Sequence, residues 1–145
     1  MNITEQVAEI CRQYDNFLIE ASQSKLGLKK RLQTRKINLY VSKYMSSKST
    51  TYPRLVIGAI EFDKNFQGKG VLSKLLKHFE NNLGDFIAIE VENILNPRLS
   101  RALEAGGYIS SPFRNKCEFN GMDQRAKVFN LEAVIRQCAV QNKCY

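Results

Sequence analysis

The residues best placed to do chemistry are Gln67-Gly68-Lys69-Gly70, which follow an apolar run ending at Phe62 and precede Val71, Leu72, Leu75, Leu76 and Phe79 at helical spacing. A glycine turn between a strand and a helix lets backbone N–H groups converge on an anion, and the positive end of the helix dipole adds to the attraction. Lys69 contributes a full charge. The chemistry implied is phosphate binding. Two common phosphate loops fail letter by letter. A P-loop needs glycine where Asp63 stands and Ser or Thr where Gly70 stands, and a dinucleotide fingerprint begun at Gly68 would end on Ser73 instead of glycine.

Other chemistries are poorly supplied. His78, the only histidine, sits between Lys77 and Phe79 in a helical pattern and reads as a helix-surface residue. Hydrolases that use histidine as base are disfavoured. The four cysteines, Cys11, Cys117, Cys138 and Cys144, show no CxxC pair and read as reduced thiols, with no metal site expected.

The elements that would position the loop follow from periodicity. Ile3, Val7, Ile10, Cys11, Tyr14, Phe17 and Leu18 recur every three or four residues, a helix capped by Asn2 or Thr4. Lys25 to Gln33 is expected to form a short helix. Ile37 to Met45 alternates as a half-buried strand, Ser46 to Pro53 reads as a turn, and Arg54 to Phe62 reads as a strand buried on both faces, together a hairpin. Phe86 to Val91 supplies a third strand. Pro97 to Ala105 reads as a helix capped by Asn96 and ended by Gly106-Gly107, with strand pieces at Cys117 to Phe119 and Lys127 to Leu131 around an Asn120-Gly121 turn.

The segment from the second strand onward resembles the GNAT superfamily of N-acetyltransferases. That family places after a strand a loop of Gln or Arg, two residues, Gly, one residue, and Gly or Ala; here Gln67 and Gly70 match and Leu72 takes the last place. Downstream it commonly shows Asn, Ala, Tyr, Gly and an aromatic at fixed spacing. Asn96, Gly107 and Tyr108 match, with Leu99 for the alanine and Leu103 for the tyrosine that frequently serves as general acid. The resemblance implies one domain over residues 1–145, with a mixed, mostly antiparallel central sheet flanked by helices. Few strands precede the loop, so a reduced sheet is expected, and a homodimer that completes it is a further expectation.

By the same resemblance the co-substrate is an acyl-coenzyme A, acetyl-CoA by default. Gln67, Gly68, Lys69, Gly70, Val71 and Leu72 would hold its pyrophosphate, Ile60 and Phe62 its pantetheine and thioester carbonyl through the backbone, and Asn96 a further contact. Transfer to an amine needs a base, and the carboxylates at hand are Glu61, Glu90 and Glu92. Glu90 is the first choice, because Ile89-Glu90-Val91 is similar to a Leu-Glu-Val segment whose glutamate works through water; Glu92 is the weaker. An edge residue or salt bridge is the competing reading of Glu90. Leu103 supports a second function, a GNAT-like binding module holding coenzyme A, a protein partner or nucleic acid without turnover.

Composition sets the outer bounds. The chain has 145 residues, 43% hydrophobic and 25% charged, enough for one core. No apolar stretch approaches the ~20 residues that span a bilayer, and the acidic amphipathic start does not read as a secretory leader. A cytoplasmic location without membrane contact is expected. The net charge of +8 is concentrated, with nine Lys or Arg and no acid in residues 21–60. Such a patch suits an acidic or phosphate-bearing acceptor; no recognition-helix or aromatic nucleic-acid motif accompanies it.

Overall fold

Alternating and helical apolar patterns divide the chain into one sheet with helices on both faces. The computed structural model describes residues 2–46, 49–113 and 123–141. The first helix, α1 (Ile3–Gln23), starts under Asn2, whose side chain accepts from Glu5 N at 2.8 Å. Its Ile10, Tyr14, Phe17 and Ala21 stripe is buried. Three strands follow: β1 (Leu28–Gln33), β2 (Ile37–Ser46) and β3 (Ser49–Phe62). Then come α2 (Val71–Asn81), β4 (Ala88–Ile94), α3 (Pro97–Ala105), β5 (Ile109–Ser110), β6 (Asp123–Val128) and α4 (Leu131–Gln141).

The sheet order is β1-β2-β3-β4-β6-β5, antiparallel at every neighbour except the parallel pair β3/β4. Leu32, Leu39, Val41, Leu55, Ile57, Ile89 and Val91 face the core built with α1, α2 and Leu103 of α3. Tyr14 stacks on Phe79 at 4.2 Å between ring centroids and donates to Asn82 O at 2.7 Å, joining α1 to α2. Full burial of each such side chain is worth about 1.5–3 kcal/mol. On the opposite face Ala88 and Ala126 pack with Ala133 and Val134 of α4.

Several sequence expectations need correction. The basic segment at Lys25 to Gln33 holds a strand, β1, in place of a helix: Leu28 and Leu32 turn to α1 in two-residue alternation, and all six residues of β1 register with β2. The stretch read as a turn to Pro53 is strand from Ser49; Pro53 lacks an N–H but its carbonyl still accepts from Ile87 N at 3.0 Å. The third strand begins at Ala88 and runs on to Ile94. The stretch Lys127 to Leu131 splits between the end of β6 and the start of α4, where Asn130 Oδ1 accepts from Ala133 N at 3.1 Å. The expected Cys117 to Phe119 strand and Asn120-Gly121 turn lie outside the described residues. No described helix is long and apolar enough to cross a membrane.

Candidate functional site

Two irregularities at the same level of the sheet create the site. Pairing of β3 with β4 stops at Ile57↔Val91, although β3 continues to Phe62 and β4 to Ile94. In β3, Tyr40↔Gly58 is followed by Asn38↔Glu61, three residues against two, with Ala59 at φ 50°. In β4, Val91↔Arg125 is followed by Ile94↔Asp123, with Asn93 at φ 57°. Each is a one-residue bulge, which bends its strand and reverses the alternation beyond it. Gly58 therefore faces away from α2, whereas Ile60 and Phe62 face toward it. The strands part, and no described strand pairs with this edge of β3 beyond Ile57.

The split opens on a cleft of about 810 Å³ between α2 and α3. Phe66 is buried and anchors the loop, and the Gln67 amide donates to Phe62 O at 3.2 Å, clipping the loop to the strand end. Gly68 and Gly70 have φ of +71° and +74°, which glycine adopts without the steric cost a side chain would carry. A Cβ added at either would meet nothing within 4 Å, so the space over the loop is open. Gly70 caps α2 with no side-chain bond, and the first intrahelical bond is Lys74 N to Gly70 O at 3.0 Å. The N–H groups of the first turn thus face the cleft with the helix dipole behind them.

Of the residues singled out from sequence, Ile60, Phe62, Gln67, Gly68, Gly70, Val71, Leu72 and Asn96 line this one cleft. Asn96 also caps α3, accepting from Arg98 N at 2.9 Å. Lys69 is exposed beside the cleft and outside its lining. Glu61, exposed on β3, and Glu90 do not line it either. The geometry places Glu90 in the competing role: it is 3% exposed, on the sheet face away from α2, paired with Arg54 at 3.3 Å and accepting from Ser111 Oγ. Arg54 lies between the rings of Tyr44 and Phe113, 4.1 and 4.3 Å from their centroids.

Glu92, the carboxylate ranked lower from sequence, occupies the more reactive position. A Cβ built on Gly58 would lie 3.5 Å from Glu92 Oε1, so this carboxylate crosses β3 at the level where the strands separate. Its pKa is raised, first by burial and then by the charge of Glu90, against the opposing pull of Lys29 and Arg54. A half-buried carboxylate of raised pKa beside an open strand edge can take a proton from an incoming nucleophile. The signal in the sequence was only its place near the end of an apolar strand.

Candidate acids are differently placed. Leu103 is fully buried in the core, and Ser100 turns to β6, donating to Asp123 Oδ2 at 2.8 Å. Tyr108 lines the far end of the cleft and donates to Glu80 at 3.0 Å. Burial, then the charge of Glu80, raises its phenol pKa, so it stays neutral. Lys127 completes that cluster, 2.9 Å from Glu80 and 3.1 Å from Gly106 O. His78, half-buried, lies 2.7 Å from Asp15.

No family model and no curated protein matches the chain. Solved structures it is similar to include an acetyltransferase from Thermus thermophilus, at 13% identity over 69% of this chain and 64% of that one with a TM-score of 0.49. An acetyltransferase of the GNAT family from Streptococcus pneumoniae matches at 12% over 79% and 73%, TM-score 0.48. A mutant AtaT toxin bound to the C-terminus of the antitoxin AtaR and acetyl-CoA matches at 16% over 70% and 61%, TM-score 0.43. The chain spans 61% of the toxin chain and 64% of the Thermus chain.

Proposed function

We propose that the protein is an acyl-coenzyme A-dependent N-acyltransferase, with acetyl-CoA as the default donor. The observation that carries this reading is the split itself: an unpaired edge of β3 leading directly from an uncapped, glycine-lined helix N-terminus. An extended pantetheine arm fits such an edge as an added strand, with the pyrophosphate on the loop amides and the first turn of α2. The motifs around Gln67 and Asn96 that resemble the GNAT pattern support the same donor.

In this reading the thioester lies at the level of Gly58 to Ile60. A backbone N–H of β3 polarises its carbonyl, and Glu92, reached from the opposite face, takes the proton as the amine attacks. Nitrogen forms a bond to the acyl carbon, the carbon–sulfur bond breaks, and the proton lost by nitrogen reaches the departing thiolate by way of water. The raised pKa of Glu92 suits it to hold that proton in transit. A test follows free thiol release from acetyl-CoA against a panel of amines. Turnover by the wild type that falls at least about a hundredfold in Glu92→Gln supports the assignment; equal rates in the two proteins contradict it.

A second reading, a binding module without turnover, is favoured by Leu103, packed in the core where the family's acid commonly stands. Coenzyme A affinity with no thioester consumption across that panel would select it.

A further inference from the structure

The fold sorts the basic run by face. Lys30 reaches Glu20 on α1 at 2.7 Å, and Lys43 donates to the carbonyls of Ala21 and Ser24 at 2.8 and 2.7 Å. Lys36 pairs with Asp63 at 3.7 Å and Arg54 with Glu90. Lys29 and Arg31, alternating with the buried positions of β1, stand on the other face, and neither forms a salt bridge among the described residues.

Register then lines these cations up with the candidate base. Arg31 pairs with Tyr40, Tyr40 with Gly58, and the Glu92 carboxylate lies over Gly58. Lys29 leads through Ser42 and Val56 to Glu90 in the neighbouring row. The Arg31 guanidinium is 4.9 Å above the Tyr40 ring, which is 38% exposed. The described helix of this face, α4, packs on β3, and Lys29, Arg31 and Tyr40 are exposed. Two strand spacings separate Arg31 from Gly58, over which the Glu92 carboxylate lies, about 10 Å between backbones. Long side chains at both ends shorten that to the size of a small molecule.

We propose that this strip is the acceptor groove and that the acceptor is a small amine bearing one anionic group, a carboxylate or phosphate, a few bonds from its nitrogen. The amine sits over Gly58 beside Glu92, the chain of the molecule lies on Tyr40, and the anion meets Lys29 and Arg31. The inference rests on the acyl-transfer reading above. Charge decides the class: with Glu90 neutralised by Arg54, two unpaired cations face one carboxylate, which repels polyamines. A nucleic-acid track draws its affinity from many phosphate contacts, and four of the nine cations in the run are engaged elsewhere.

The test titrates the labelled protein with phosphoethanolamine and glycylglycine, then with ethanolamine and glycinamide, amines that lack the anionic group, at physiological salt. The amides of Arg31, Tyr40 and Gly58 are expected to shift with the two anionic amines only, and to lose that response in a Lys29→Gln, Arg31→Gln double variant. With acetyl-CoA present, kcat/KM for the anion-bearing amines should exceed that of the anion-free amines at least tenfold and fall at least tenfold in the double variant. Comparison of the two anionic amines tells a phosphate from a carboxylate preference. Equal response to the anion-free amines, better turnover of spermidine, or tight RNA binding lost in the double variant would each overturn the proposal. If acetyl-CoA leaves Gln67 to Leu72 unmoved while phosphoethanolamine still shifts Arg31 and Tyr40, the acyltransferase reading falls and the anion groove stands.

Discussion

Glu92 and Glu90 are two residues apart on one strand and have opposite fates. Glu92 is half-buried with a raised pKa, so the folded state binds its proton more tightly than the unfolded chain does. Its contribution to stability is therefore present at low pH and is lost as pH rises from the ordinary glutamate range through the folded-state value. Glu92→Gln is expected to raise the thermal midpoint at neutral pH while lowering the transfer rate, and differential scanning fluorimetry from about pH 4 to 8 checks the first half. In the wild type, kcat/KM should climb with pH along a limb lying above the usual carboxylate range and absent in the variant. Glu90 behaves otherwise. Removing one member of a buried ion pair costs about 3–5 kcal/mol, so Glu90→Ala should lower stability by that much in urea denaturation, with acetyl-CoA affinity kept in whatever fraction stays folded. The choice between these carboxylates was not legible in the sequence, because Arg54 of β3 and Ser111, just after β5, reach Glu90 from distant parts of the chain and Glu92 owes its place to the bulge at Asn93.

At the scale of elements, the loop and the two helices it joins to the cleft were legible. The helical spacing after Gly70, the Asn96 cap and the Gly106-Gly107 stop are local signals, and local hydrogen bonds realise them. Gly68 and Gly70 carry a specific expectation. Alanine at either adopts a left-handed φ at about 1–2 kcal/mol and meets no atom, so Gly70→Ala should fold with that modest loss and weaken acetyl-CoA binding at least tenfold, read by calorimetry and thermal melts. Strand β1 was missed because Leu-Lys-Lys-Arg-Leu suits two periods, and only registration with β2 chooses between them. The bulges escaped detection for a related reason: Ala59 carries no turn signal, Asn93 tolerates the left-handed region but stands inside an apolar strand, and each bulge shows only against a partner strand.

For the whole molecule, the division of labour follows from a sheet parted between two bulged strands. The cleft lined by α2 and α3 opens on one face and the Glu92 carboxylate lies on the other, so in the proposed reaction the two substrates meet through the split without sharing an entrance. Three strands precede the loop, one more than the sequence suggested, and the outermost carries Lys29, Lys30 and Arg31. A charged edge strand resists pairing with a second copy. A concentration-independent monomer mass by light scattering is expected; a dimer broken by Lys29→Val would contradict it. The mixed, mostly antiparallel architecture was legible through the resemblance carried by the Gln67 and Asn96 motifs, whereas the cleft was legible only as a loop. The most direct measurement is calorimetric titration with acetyl-CoA of the wild type beside a folded Gly70→Asp variant, which places a carboxylate where the pyrophosphate would lie. One-to-one binding lost in the variant is the result expected; no binding by the folded wild type, or equal binding by both, would contradict a donor site at the split.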